Sequence, residues 1–552
     1  MTRFVVEAPA LAPMTGNEFD ISPDGSQLVY AGLDRGDRRL FLRRVDQFDA
    51  APLPGTEGAR VPFFSPDGHW VGFSTGNKLL KIDLRSAGAP VVLRNAAAMF
   101  PAWSSDDTIL FASTGHGIQR ISAEGGEPRV VTTLSQTPVE YDHHSPHLLP
   151  GGQALLFTIH EGVERFSIAI QSLASGQRKV IIESGFGARY SPSGHIVYAG
   201  GSAIRAVPFD LRRLEVTGPP ITLIEHVATI PNDGDGNFRL SESGSLVFQP
   251  EQSLAHRMLV WVDRSGTETR LPILPRAFTS ARVSPDGKRL AFAAADADRE
   301  DIWIYELSTD TVTRATLEDI NRAPLWTSDG RRLAYEKLRA GTHHLFWQPA
   351  DGSGAPESLV SGLNRLHAGA WTPDGRALLY VDSPPSDRSD IAILRLDGER
   401  RSKPVVQGPV AAYEDFPRFS PDGHWLAYTS NETGRAEIYV QAYPESVARH
   451  QVTVDGGFAA VWSRDGRELF FWNRAQMFAL PVNITHGFSA GKPVRLFESR
   501  YVADRLAGFP YDVAPDGRFL MIKPSEEEQS PPRLNVALNW VDELVRRVPS
   551  GK

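Results

Sequence analysis

Apolar positions along the chain cluster in short runs of four to eight residues, bounded by polar turn-formers, and the pattern repeats. A large apolar residue ends one run, Ser/Thr-Pro-Asp-Gly or a relative of it follows, and a second alternating run begins. The stretch "FSPDGHW" occurs twice, at Phe64–Trp70 and Phe419–Trp425. Relaxed copies are "ISPDGSQLVY" from Ile21, "FSPDGHWVGF" from Phe64, "WSSDDTILF" from Trp103, "LLPGGQALLF" from Leu148, "YSPSGHIVY" from Tyr190 and "LSESGSLVF" from Leu240. Six more follow: "VSPDGKRLAF" from Val283, "WTSDGRRLAY" from Trp326, "WTPDGRALLY" from Trp371, "FSPDGHWLAY" from Phe419, "WSRDGRELFF" from Trp462 and "VAPDGRFLMI" from Val513. Period-two alternation between such turns reads as β-strand. Pro presets φ for the first corner, Asp bonds its own backbone and Gly accepts φ > 0. A third strand is visible in "DIWIYEL", "DIAILRL" and "EIYVQAY", and a fourth in "TVTRAT". The twelve copies recur roughly every 40 to 50 residues, the period of a four-stranded propeller blade.

Twelve blades exceed the four to eight of one propeller. Copies six and twelve are each followed by a strand with Trp-Val-Asp, "MLVWVDRSG" and "NVALNWVDEL". The sequence therefore predicts an all-β chain of two tandem six-bladed propellers, residues 1–265 and 266–552. In each ring an early segment, "FVVEAP" or "ETRLPI", is expected to return as the outer strand of the last blade, removing an open sheet edge. The ending "NWVDELVRRVPSGK" predicts a short amphipathic helix capping the second ring.

Composition narrows this picture. Gly 48 and Pro 41 together make about 16% of 552 residues, above the usual ~12%, in keeping with many turns. A net charge of −8 gives no electrostatic footprint for nucleic acid. Cysteine is absent, so there is neither a disulfide framework nor thiolate chemistry. No apolar window of 18 residues predicts a membrane span, and "MTRFVVEAPALAPMTG" makes a poor signal peptide because Glu7, Pro9 and Pro13 break it. As written the chain is expected in the cytoplasm, or outside it if it is a fragment of a membrane-anchored protein.

The "SPDG…LAY…DIW" grammar resembles the TolB-type propeller repeat. Almost the whole chain also resembles the tandem propeller region of bacterial serine/threonine protein kinase-like proteins, notably in "WVDRSGTETRLP", "RFSPDGHWLAYTSNETGRAEIYVQAYP" and "LNWVDELVRRVP". The resemblance implies the fold and an accessory sensing or interaction role. The kinase's own glycine-rich loop, His-Arg-Asp and Asp-Phe-Gly segments are missing, as is the Gly-x-Ser-x-Gly elbow of a hydrolase.

Candidate chemistry lies near the innermost strands. Arg60, Arg189, Arg239, Arg282, Arg322, His367, Glu414, Arg418 and Tyr511 are expected around the two channel mouths, where guanidiniums bind carboxylate or phosphate bidentately. Pairing with neighbouring carboxylates is the alternative for these arginines. The segment "EYDHHSPHLLPGG" brings His143, His144 and His147 together with Glu140 and Asp142, a set able to hold a metal ion, although its spacing matches no defined motif and a solvated or structural loop is the alternative. "NDGDGN" (232–237) imitates the start of a calcium loop but lacks its closing Glu. No other cofactor is expected. The reading that follows is a non-catalytic binding module for a protein, a peptide or a small anionic ligand. A hydrolase or lyase built on the histidine segment, and a structural spacer of a larger receptor, are its rivals.

Overall fold

The computed structural model describes residues 2–7 and 18–549, save 35–36, 77, 87, 97, 114, 163–164, 230–233, 235, 252–255, 297–298, 340, 385–387, 399, 410–411, 445–448, 486, 499–500, 503–508 and 530–532. Nearly every described element is a β-strand, and the strands form two six-bladed propellers of four-stranded antiparallel blades. Asn232, Asp233 and Asp235 of the calcium-like stretch lie outside the described residues.

Burial falls off outward across each blade and explains the strand compositions. The second strand of a blade is covered on both faces by its neighbours: Trp425–Ser430 is buried throughout, as are Leu290 to Ala294 within Arg289–Asp296. Those strands are accordingly runs of Leu, Ala, Phe and Tyr rather than strict alternations. Outer strands such as Thr311–Arg314 alternate between exposed and half-buried. The core is a series of seams between adjacent blades. Leu426 and Tyr428, for example, pack with Leu379, Val381 and Ile393 of the preceding blade. Each such side chain contributes roughly 1.5–3 kcal/mol by leaving water.

The turn aspartates do what their spacing suggests. Asp422 accepts from the Ser420 hydroxyl at 2.5 Å and from the His424 amide at 3.1 Å, while the Trp425 amide bonds back to Ser420 at 3.0 Å. The same pattern recurs at Asp24, Asp67, Asp286, Asp329, Asp374 and Asp465. Gly423 closes its turn at φ +75°, with the space of a Cβ only 3.0 Å from Pro373 of the preceding blade, so a side chain there is barred by both backbone and contact.

Thr2–Glu7 and Glu268–Arg270 are the outer strands of the two last blades, as expected, but the strands inside them and the unit boundaries differ from the expected ones. The compact units are 1–252 with 530–552, and 253–529, rather than 1–265 and 266–552. The strand after copy six, Met258–Val262, pairs with Phe519–Lys523 in the last blade of the second unit, and Glu268–Arg270 lies at its edge. The strand after copy twelve, Arg533–Leu538, pairs with Leu246–Phe248 in the last blade of the first unit, and the N-terminal strand Thr2–Glu7 completes that sheet. The two similar strands have exchanged places. Each satisfies the same sheet edge, so local pattern does not distinguish them. The chain thus enters the second unit from within the last blade of the first.

The helix Val541–Arg547 consequently caps the first ring and not the second. Trp540, Leu544 and Val548 pack with Phe186, Leu223 and Phe238 in one apolar cluster. The imidazole of His195 lies 2.6 Å from the carbonyl oxygen of Val548, and the Arg547 guanidinium donates to the carbonyls of Thr222 and Leu223.

Candidate functional site: the channel mouths and a histidine cluster

An innermost strand has two ends, and the sequence-predicted residues divide between them. The residue just before the apolar strand end lies beside the Pro-Asp-Gly turn. In the first ring that position holds Asp20, His147, Arg189 and Arg239, and all four line one pocket to which every blade contributes, together with Phe63 and Trp103. Arg239 donates to the Phe238 carbonyl at 2.7 Å and has its Nε 3.9 Å from Asp20. Arg189 donates to the carbonyls of Ala188 and Ser145. Asp20 accepts the amide of Phe64 in the next blade at 2.9 Å. Burial raises the Asp20 pKa against the pull of Arg239, and burial with Arg189 pushes His147 down to about 3. The exposed Glu242 also lines the pocket, so the mouth holds two guanidiniums, an imidazole that is neutral at neutral pH and two carboxyl groups.

The second ring repeats the arrangement with a different outcome. Arg282, Arg418 and Asp512 take the same positions, and Asp512 accepts the Val283 amide at 2.9 Å as Asp20 does for Phe64. Here Phe509 fills the space: Arg418 lies 3.7 Å and Arg282 4.8 Å from its ring centre. Arg282 is buried and donates to the carbonyls of Ala281, Phe509 and Tyr511. Its guanidinium is disfavoured by burial and then by Arg418. These two arginines are built into the wall.

The remaining predicted ligands sit elsewhere. Arg60 lies at the entry end of its strand, on the far side of the β-bulge between Arg60 and Phe63, and does not join Arg189 and Arg239. Its charge is disfavoured by burial and then by Arg38. Arg322 is 3.7 Å from Glu336, which also meets Arg365 at 3.6 Å and His343 at 2.8 Å. His367 pairs with Asp415 at 2.9 Å. Glu414 is buried and accepts from Ser430. Tyr511 is a core residue whose hydroxyl donates to the carbonyls of Ala459 and Phe470, so it offers nothing to a ligand. Sequence position gave all of these as channel residues. The bulges, which shift the phase of each innermost strand, decide which end each one occupies.

The histidine segment also divides. His143 and His144 point to opposite faces of the strand Asp142–Leu148, as neighbours in a strand must. His143 meets Thr132 at 2.6 Å and Glu140 at 3.1 Å, and Glu140 is clamped by Arg178. His147, beyond a bulge, lines the turn-side pocket with Arg189 and Arg239. His144 instead joins Asp142 and His160, a residue the sequence reading did not single out. His160 lies directly across the strand pair from Asp142, sixteen residues along from His144, and only the hairpin register brings it there. The predicted trio His143, His144 and His147 is therefore not a ligand set.

These blades define a TolB-like double β-propeller. No family model matches the chain. Among curated proteins, "Tol-Pal system protein TolB" of Wolinella succinogenes is 26% identical over 161 residues, covering 29% of this chain and 38% of that protein. "Uncharacterized peptidase YuxL" of Bacillus subtilis is 25% identical over 194 residues, 28% of this chain and 30% of that protein. "Tricorn protease homolog 1" of Streptomyces coelicolor is 25% identical over 231 residues, 40% and 21% respectively. In each case the match spans less than half of the relative's own length. Of solved structures, a putative TolB from Agrobacterium tumefaciens is similar with a TM-score of 0.40 and 18% identity, over 49% of this chain and 98% of that one. Among the described residues no helix is long and apolar enough to cross a membrane.

Proposed function

We propose that this chain is a binding module whose first propeller receives an anionic group of a peptide, protein or small molecule at its turn-side channel mouth. One observation carries the reading: all six blades of the first ring converge on a pocket that sets two guanidiniums, Arg189 and Arg239, and the His147 imidazole among its lining, beside the carboxyls of Asp20 and the exposed Glu242. The equivalent place in the second ring is filled by its own Phe509, which makes the first mouth the receptive one. The chemistry required is recognition. Nothing in the pocket pairs a nucleophile with a base, and the two guanidiniums supply charge and direction for a carboxylate or phosphate. The sensor role implied by the likeness to kinase-linked propellers is one setting for such a module, and the genomic sequence upstream of Met1 tests that setting.

The experiment is fluorescence anisotropy with acidic peptides carrying a free or an amidated C-terminus. Arg189→Ala with Arg239→Ala is expected to weaken binding by more than about tenfold, since charge-assisted bonds are worth roughly 1.5–3 kcal/mol each. The control pair Arg400→Ala with Arg401→Ala should leave it unchanged. Equal loss in both pairs, or loss in the control alone, places the contact on the blade surface and removes this reading.

A further inference from the structure

Asp142, His144 and His160 form a second polar centre, independent of the turn-side pocket. The carboxylate oxygen Oδ1 of Asp142 lies 2.5 Å from His144 Nε2 and 2.9 Å from His160 Nδ1, and the three donor atoms all fall within 4.8 Å of one another. Asp142 and His144 share a strand face, and His160 is the cross-strand partner of Asp142, so a rigid hairpin rather than a loop sets the geometry. Both rings are held by stacking: His144 on Phe100 at 4.8 Å and His160 on Phe166 at 4.6 Å. All three residues are buried.

A carboxylate in such aromatic surroundings needs a compensating cation. Arg178, on the other face of the strand, is engaged with Glu140. Among the described residues the ion-pair partners given to Asp142 are the two imidazoles themselves. Three converging donors, two imidazoles and the carboxylate they compensate, form a ligand set. We infer that Asp142, His144 and His160 bind one divalent cation of the borderline class typified by Zn²⁺, with an open position for water or a ligand oxygen.

The geometry requires little movement. Tetrahedral coordination with bonds of about 2.0–2.1 Å sets donor atoms roughly 3.3 Å apart. The two contacts to Asp142 open by less than about 1 Å to reach that spacing, and the two imidazole nitrogens, at most 4.8 Å apart, close by up to about 1.5 Å. Two imidazoles with one carboxylate suit zinc, and the same set discriminates against calcium and magnesium, which prefer oxygen donors. Each imidazole would exchange the proton it directs at Asp142 for the metal, with the protons leaving to solvent.

The test is calorimetric titration of ZnCl₂ into the full chain stripped with chelator. One equivalent is expected to bind, and Asp142→Asn or His160→Ala should weaken it by more than about 100-fold. His226→Ala, which removes an exposed imidazole, should change nothing. Because a buried variant can unfold, wild-type protein loaded with Co²⁺ gives a second readout: two paramagnetically shifted imidazole N–H signals, both displaced by added Zn²⁺. Absence of a stoichiometric site in the wild-type chain, fewer than two shifted imidazoles, or full binding by a folded His160→Ala variant overturns the assignment.

Discussion

The guanidinium of Arg418 lies 3.7 Å from the ring centre of Phe509, beside the turn-side end of the innermost strand Glu414–Phe419. Arg282 reaches the same ring from the first blade of that propeller. Phe509 is 2% exposed, so Phe509→Ala removes both a buried aromatic and the partner of two cations. A loss of about 3–5 kcal/mol is expected, read as a lower urea midpoint for the second unit. Arg418→Ala should cost less, because its stem is lost but no large cavity forms.

Asp422→Ala tests the turns. The aspartate holds a hydroxyl and an amide of its own loop and nothing beyond it. A stability loss on the order of 1 kcal/mol is expected, with peptide binding and zinc binding unchanged. Retention of the melting temperature with loss of either ligand would give the motif a functional role.

Glu414 gives the second unit a distinctive pH response. Its carboxyl is buried, accepts a bond from Ser430, and is pushed up to about 7 chiefly by burial. A carboxyl whose folded pKa exceeds its unfolded value destabilises the fold as pH rises from about 4.5 through 7, because the folded state must then release a proton it holds more tightly. Glu414→Gln should match wild type near pH 4 and exceed it at pH 8 by on the order of 1–3 kcal/mol. Glu336 has the opposite sign. Burial raises its pKa, but Arg365, Arg322 and His343 outweigh it and hold it down to about 2, so its contribution is lost as pH falls from about 4.5 toward 2. Denaturant midpoints of Glu414→Gln and Glu336→Gln against wild type across pH 3–8 check the two signs.

Trp540→Ala separates the units. Trp540 is 1% exposed in the apolar cluster of the first unit, although it follows the last residue of the second unit in sequence. Calorimetry should show the first unit's transition lowered by about 3–5 kcal/mol and the second unit's unchanged. The reverse result would restore the consecutive arrangement of rings.

The repeat was legible because each turn carries its own chemistry: Ser420, Asp422 and Gly423 announce a hairpin wherever they occur. Blade number and strand order within a blade followed. The exchange of Met258–Val262 with Arg533–Leu538 was not legible, since both strands present the same apolar pattern to equivalent edges. At the sites, Arg189 and Arg239 could be found as cations near a strand end. Their company with Asp20 and His147 depended on bulges that no local pattern marks. His160 was missed because its partnership with Asp142 is a matter of cross-strand register. Its signal in the sequence was a lone histidine ending the run "LLFTIH", which alternation alone does not distinguish from a core position.

The pairing of Thr2–Glu7 with Arg533–Leu538 bears on how the molecule is made. A ribosome delivers Thr2–Glu7 long before its partner Arg533–Leu538, with the whole of the second unit made in between. The second unit, contiguous from residue 253 to 529, has all its strands before the first unit has its closing one. Domains fold as units during synthesis, ordinarily from the N-terminus onward. Here the order is inverted: the earlier-made propeller waits with an unfilled slot beside Leu246–Phe248 while the later-made one completes itself. Only the arrival of Arg533–Leu538 supplies the strand that shuts the first ring, so a product terminated before it displays an open β-edge, a template for aggregation.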